Sequence, residues 1–183
     1  ACYVHLIRDG RDVVESAIRQ WQAPPKWKDL LQKVRDVPVE NLGYVKWFGW
    51  NFLKGLSEGR QGGRVWGPRF PGINAIAEKE PLSKVCAHQW LESYNRANIC
   101  LPQIANAGSR VFTIRYEDLI RDDIALKSLL DDLGLPDKNT ILANYHRKLR
   151  PNGPELWQNL PPEDIDIIYK ILSPSLRELG YLN

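Results

Sequence analysis

The pattern that most constrains the fold lies at the start of the chain, where a strand, a tight turn and a helix follow one another within 22 residues. Residues 1–7 are rich in β-branched and aromatic side chains, which is typical of a short, buried central strand. Asp9-Gly10 predicts a turn, and residues 12–21 predict a helix that ends before Pro24-Pro25. A strand that passes directly into a helix is the building unit of an α/β sheet.

The same segment predicts an anion-binding corner. Arg8 ends the strand, and Ser16 follows eight residues later on the helix. Free backbone N–H groups and the positive end of the helix dipole collect at a helix start, and an arginine adds a planar cationic fork. The pattern therefore predicts a phosphate site, and with it a nucleotide. A structural alternative is that Arg8 pairs with Asp9 or Asp12 while Ser16 faces solvent.

The rest of the chain adds a second strand among several helices. Residues 110–115, with Val111, Phe112 and Ile114, predict a strand, and residues 59–72 hold many glycines and predict a loop. Alternating helices and strands favour an α/β sheet. Helices are predicted over residues 26–35, 39–56, 81–104, 124–133, 140–148 and 161 to about 172.

The composition of the 183-residue chain is that of one globular domain, with 43% hydrophobic and 26% charged residues. A net charge of +3 suits a small anionic ligand better than a nucleic-acid track, so no nucleic-acid partner is predicted. The three cysteines form no CxxC pair and predict buried free thiols rather than a metal site or a disulfide framework. No apolar run approaches the roughly 20 residues that a membrane-spanning helix needs.

Two further positions are candidates for nucleotide contact. Tyr116 follows the second strand directly, so it is predicted at the carboxyl edge of the sheet, where a tyrosine can stack on a base. Arg150 ends a cationic run before a Pro-Asn-Gly turn and is placed to close over a phosphate. The alternatives are a tyrosine at the edge of the core and a solvated basic surface. Glu117 and Asp118 are expected to bind local backbone or to cap the next segment.

These segments together resemble the sulfotransferase superfamily that uses 3′-phosphoadenosine 5′-phosphosulfate (PAPS). Residues 6–16, with Arg8 and Ser16 eight apart, resemble its 3′-phosphate-binding motif, and residues 113–119 resemble its second signature. Residues 149–162 and 179–181 are similar to the C-terminal part of tyrosylprotein sulfotransferases and their bacterial relatives.

The resemblance implies an α/β fold with a P-loop-NTPase-like parallel sheet flanked by helices. Residues 1–183 would be one partial sulfotransferase domain, in which residues 22–81 form a variable helical or loop insertion. The family's strand–loop–helix for the 5′-phosphosulfate, which carries a catalytic Lys or Arg, has no counterpart here. Because the chain begins on a strand and contains no Met, the catalytic residues are expected upstream of Ala1.

By the same resemblance, Arg8 and Ser16 bind the 3′-phosphate, Tyr116 contacts the adenine, and Arg150 is a cation that faces the cofactor. The implied reaction moves the sulfuryl group of PAPS to a hydroxyl or amine of a small-molecule, carbohydrate or protein acceptor and releases adenosine 3′,5′-bisphosphate. This chain alone would be inactive. A kinase-like P-loop enzyme and a non-catalytic nucleotide- or partner-binding module remain alternatives. Few cysteines and no Asn-x-Ser/Thr sequon favour the cytoplasm.

Overall fold

A computed structural model describes residues 1–23, 66–148 and 155–182 of the chain. This part of the molecule is mixed α/β and mostly helical, with a small two-stranded parallel sheet. The helices predicted over 26–56, the loop over 59–65 and Arg150 lie outside the described residues. Its elements are β1 Cys2–Ile7, α1 Gly10–Gln22, α2 Ile73–Lys79, α3 Leu82–Asn106, β2 Arg110–Arg115, α4 Tyr116–Arg121, α5 Ile124–Leu133, α6 Lys138–Lys148, a 3-10 helix Leu156–Asn159, and α7 Pro162–Glu178.

The sheet aligns the ends of its two strands. β1 and β2 are parallel, with Cys2 opposite Arg110 and Ile7 opposite Arg115. The long helix α3 lies between them in sequence, as a parallel pair requires a crossover. Because the register is in step, the residues that follow the two strands leave the same edge of the sheet.

The strand β1 is less buried than its sequence suggests. Tyr3, Val4 and Leu6 are 43%, 48% and 51% exposed. The prediction of a buried central strand was therefore wrong in the described part of the molecule, where β1 has β2 as its one strand partner. A composition rich in β-branched residues predicts that a strand forms, but it does not predict which faces of that strand are covered by other elements.

The core is built by helices rather than by the sheet. Its fully buried side chains come from α1, α3 and α7, which pack on one another. The helix α7 was predicted to end near Leu172, but it continues through Pro174 to Glu178 because Ser175 and Leu176 extend its buried face. The core includes Val14, Ile18, Trp21, Ile73, Val85, Cys86, Ile168, Leu172 and Leu176.

Local signals located the other described elements with mixed success. The predictions of β2 and α5 match the observed bounds, and Gly134 ends α5 in the left-handed region at φ +65°. The short helices α2 and α4 were not predicted.

The three cysteines differ in burial. Cys86 is buried, and burial raises the pKa of its thiol to about 12. Cys2 and Cys100 are exposed, so the prediction of buried thiols was wrong for those two.

Gly10 is the first residue of α1, and it is needed for close packing rather than for the predicted tight turn. A Cβ atom on Gly10 would lie 2.9 Å from Cε2 of Trp90 and 3.0 Å from Cδ1 of Leu172. Both separations are shorter than side-chain carbons normally reach, and the atoms are held inside the α1–α3–α7 packing. The glycine thus lets the start of α1 approach the other two helices.

Replacing Gly10 by alanine is expected to lower the free energy of unfolding by about 1–3 kcal/mol, the usual cost of overpacking. Urea unfolding of the variant measures this. In a Trp90→Phe background the added methyl group gains room, so the same replacement should cost less there. An equal cost in both backgrounds would show that the indole contact is not the reason for the glycine.

Candidate functional site

Two of the predicted ligand-binding residues meet at the carboxyl edge of the sheet. Arg8 follows β1 and Tyr116 follows β2. The Cζ atom of Arg8 lies 4.5 Å from the centre of the Tyr116 ring, within the range of a cation–π contact. The parallel register brings the two together, as the sequence predicted.

The guanidinium of Arg8 is only partly satisfied by the described residues. Its Nη2 lies 3.7 Å from Oδ2 of Asp12, which is an ion-pair distance but too long for a hydrogen bond. Its Nε is buried and has no hydrogen-bond partner among the described residues. The side chain is 20% exposed. An unmet buried donor is costly, so Arg8 is suited to receive an external anion.

Asp12 is an anchor for the chain rather than a full partner of Arg8. It is 3% exposed, and its two carboxylate oxygens accept hydrogen bonds from the backbone N–H of Glu155, at 3.1 Å, and of Trp157, at 3.3 Å. These bonds tie α1 to the 3-10 helix that lies about 145 residues later. The alternative in which Arg8 pairs with Asp12 thus holds as a long ion pair, while the carboxylate is directed elsewhere.

The start of α1 is capped from within. The carboxylate of Asp9 accepts from the backbone N–H of Arg11 at 2.9 Å and from the Arg11 guanidinium at 2.7–3.2 Å. Both side chains are about nine-tenths buried. The Asp9 carboxylate therefore occupies one backbone amide at the helix start, where the sequence predicted a bound anion. The positive charge of the anion-binding corner comes from Arg8.

Arg11 is a structural arginine that the sequence did not distinguish from Arg8. Its Cζ lies 4.5 Å from the ring centre of Trp157 and 5.6 Å from that of Tyr169. It donates to the Tyr169 hydroxyl at 2.8 Å and to the backbone carbonyl of Tyr181 at 3.2 Å. All these partners lie near the C-terminal end of the chain, so no local signal could have found them.

Glu117 joins three distant segments. One carboxylate oxygen accepts from the backbone N–H of Asp9 at 2.9 Å, and the other accepts from the hydroxyl of Tyr181 at 2.7 Å. Burial raises the pKa of Tyr181, and the bond to Glu117 raises it further. Glu117 was expected to hold local backbone, but the backbone amide that it holds is 108 residues away.

The remaining predicted residues are placed less fully. Ser16 is partly exposed on α1, one turn beyond Asp12. Arg150 lies outside the described residues.

Within residues 1–23, 66–148 and 155–182, no group of His, Cys, Asp and Glu has the geometry to hold a metal ion. No described helix is long and apolar enough to cross a membrane.

A cavity of about 260 Å³ borders Arg8 on the side of α3. Trp90 and Tyr94 form one wall, with their rings stacked at 5.4 Å, and His5 and Ser93 add polar groups. Burial lowers the pKa of His5. The arrangement places a cation beside an aromatic wall, which suits an anion that carries a flat ring.

Comparisons of the chain with protein-family models, with curated proteins and with solved structures found no match. The function is therefore argued from the residues and their geometry.

Proposed function

We propose that this chain is the nucleotide-binding part of a sulfotransferase that uses PAPS as its donor. The observation that supports the proposal is the convergence of Arg8 and Tyr116 from the ends of two parallel strands. The motifs of residues 6–16 and 113–119 are separated by almost a hundred residues in sequence, and their key side chains are in contact.

Arg8 is the proposed ligand of the 3′-phosphate. A guanidinium binds phosphate through paired N–H donors, and the unpartnered Nε of Arg8 is one such donor. The long distance to Asp12 leaves room for a closer and more strongly charged acceptor. Ser16, eight residues beyond Arg8 in sequence, is proposed to add a hydroxyl donor. The residues present thus fit the nucleotide at its 3′ end.

Tyr116 is the proposed contact of the adenine. Arg8 covers one face of its ring at 4.5 Å, so the base is expected to meet the other face or the hydroxyl. The proposed fold beyond the described sheet is P-loop-like, and Arg150 is proposed to close on the phosphates. The donor supplies the activated sulfuryl group; the residues of this chain bind and orient it.

The rest of the assignment follows from the family resemblance. The proposed acceptor is a hydroxyl or amine on a small molecule, a carbohydrate or a protein, and the proposed compartment is the cytoplasm. Remote contacts at the 3′-phosphate fix the donor in register, so their binding energy serves the transfer step.

Competition binding tests the proposal. Labelled adenosine 3′,5′-bisphosphate is expected to bind the full-length protein and to be displaced by PAPS, but only poorly by ATP, since ATP lacks a 3′-phosphate. Displacement by ATP at equal concentration would indicate a kinase-like enzyme instead. Tight binding without sulfuryl transfer to any of a panel of phenols, sugars and peptides would indicate a binding module.

A further inference from the structure

We infer that Glu117 and Tyr181 are positioning residues for the nucleotide site. The Tyr181 hydroxyl donates to one oxygen of Glu117, and the backbone N–H of Asp9 donates to the other; Glu117 thereby holds the Asp9 backbone to α4 and sets the approach of the Arg8 guanidinium to the Tyr116 ring. The inference rests on the proposed function, because the site that is positioned is the proposed nucleotide site.

The contact lies one residue away from each ligand-binding residue. Asp9, which donates to Glu117, directly follows Arg8, and Glu117 directly follows Tyr116. A single carboxylate therefore spans the two strand ends immediately beside the pair that it aligns. The neighbouring link between the same two strand ends is the Arg8–Tyr116 contact itself.

Tyr181 brings its hydroxyl to Glu117 from a fixed point. Its backbone N–H donates to the carbonyl of Leu176 at 2.8 Å, and its own carbonyl accepts from Arg11 at 3.2 Å. The guanidinium of Arg115 lies 5.0 Å from the centre of its ring. Contacts with α7, α1 and β2 thus fix the position of this tyrosine. Its hydroxyl therefore sets the orientation of the Glu117 carboxylate.

The protonation states support a permanent bond. The pKa of Tyr181 is raised by burial first and by Glu117 second, so the hydroxyl remains a donor throughout the neutral range. The carboxylate accepts from a hydroxyl and an amide at once, and charge-assisted bonds of this kind are short and directional.

Three variants and one matched control test the inference. Tyr181→Phe removes the hydroxyl, Glu117→Ala removes both bonds, and Glu117→Gln keeps an acceptor for the Asp9 amide. Tyr169→Phe makes the same chemical change on α7 and loses a bond to Arg11 rather than to Glu117. Calorimetry with adenosine 3′,5′-bisphosphate should show an affinity about tenfold weaker for Tyr181→Phe and weaker still for Glu117→Ala. Glu117→Gln should restore part of the loss, and Tyr169→Phe should bind as the wild type does.

A readout without ligand separates this inference from the proposed function. Because Cζ of Arg8 lies 4.5 Å from the centre of the Tyr116 ring, the ring current is expected to shield the Arg8 Nε–H resonance, and Tyr116→Leu gives its unshielded position. In Tyr181→Phe the resonance should move toward that position, whereas it should stay in place in Tyr169→Phe. An unmoved resonance overturns the inference, as does a moved one with unchanged nucleotide affinity. If the wild type binds no bisphosphate, the proposed function fails and the resonance alone decides whether Glu117 and Tyr181 position this pair.

Discussion

Replacing Asp9 by alanine is expected to lower the free energy of unfolding by about 3–5 kcal/mol. Asp9 and Arg11 are about 10% exposed at their side chains, and the guanidinium reaches the carboxylate at 2.7 Å. Without the carboxylate, Arg11 stays buried between Trp157 and Tyr169 with its charge uncompensated. The replacement also removes the cap on the Arg11 amide at the start of α1, which usually costs about 1 kcal/mol by itself.

Glu92→Ala is the matched control for this loss. Glu92 pairs with Arg96 at 2.9 Å on α3, but the two side chains are 36% and 63% exposed. Water and salt screen such a pair, so its removal should change stability by less than about 1 kcal/mol. Chemical unfolding of both variants measures the contrast. Similar losses for Asp9→Ala and Glu92→Ala would contradict the view that burial makes the Asp9–Arg11 pair essential.

The two arginines near the start of α1 show what the sequence could and could not predict. Strand periodicity and the rule that parallel strands deliver ligand contacts at their carboxyl ends were sufficient to bring Arg8 and Tyr116 together. The same rules say nothing about Arg11, whose role depends on Tyr169 and Tyr181, some 158 and 170 residues later. Such long-range polar contacts have no local signature, because the partners of Arg11 lie on segments far away in sequence.

Burial was harder to predict than secondary structure. β2 and α5 follow from local patterns, since Val111, Phe112 and Ile114 favour a strand and Gly134 ends the helix. The exposure of Val4 and Leu6 depends on what covers the sheet, and no residue within the strand carries that information. The need for Gly10 likewise arises from Trp90 and Leu172, which reach it from other helices.

Replacing Arg8 by alanine in the full-length protein is expected to weaken the binding of adenosine 3′,5′-bisphosphate about tenfold to a hundredfold. One charge-assisted contact contributes about 1.5–3 kcal/mol, which corresponds to that range in the dissociation constant. The loss should arise at the 3′-phosphate, so adenosine 5′-monophosphate, which lacks that group, should bind the variant and the wild type almost equally. The dissociation constant of Arg8→Lys for the bisphosphate should lie between those of the wild type and Arg8→Ala, because an ammonium keeps the charge but not the planar pair of donors. Calorimetric titration of the wild type and both variants with each ligand measures all six dissociation constants.

Arg96→Ala is the matched control, since Arg96 is an exposed arginine on α3 whose described contact is with Glu92. Its removal takes away the same charge and should leave both affinities unchanged. The folding of Arg8→Ala is checked by its unfolding transition, which should shift little, because the Asp12 contact is long and Asp12 keeps its bonds to Glu155 and Trp157. An equal loss of affinity for both nucleotides would place Arg8 away from the 3′-phosphate. An unchanged dissociation constant for the bisphosphate would remove Arg8 from the site and, with it, the main support for sulfuryl transfer.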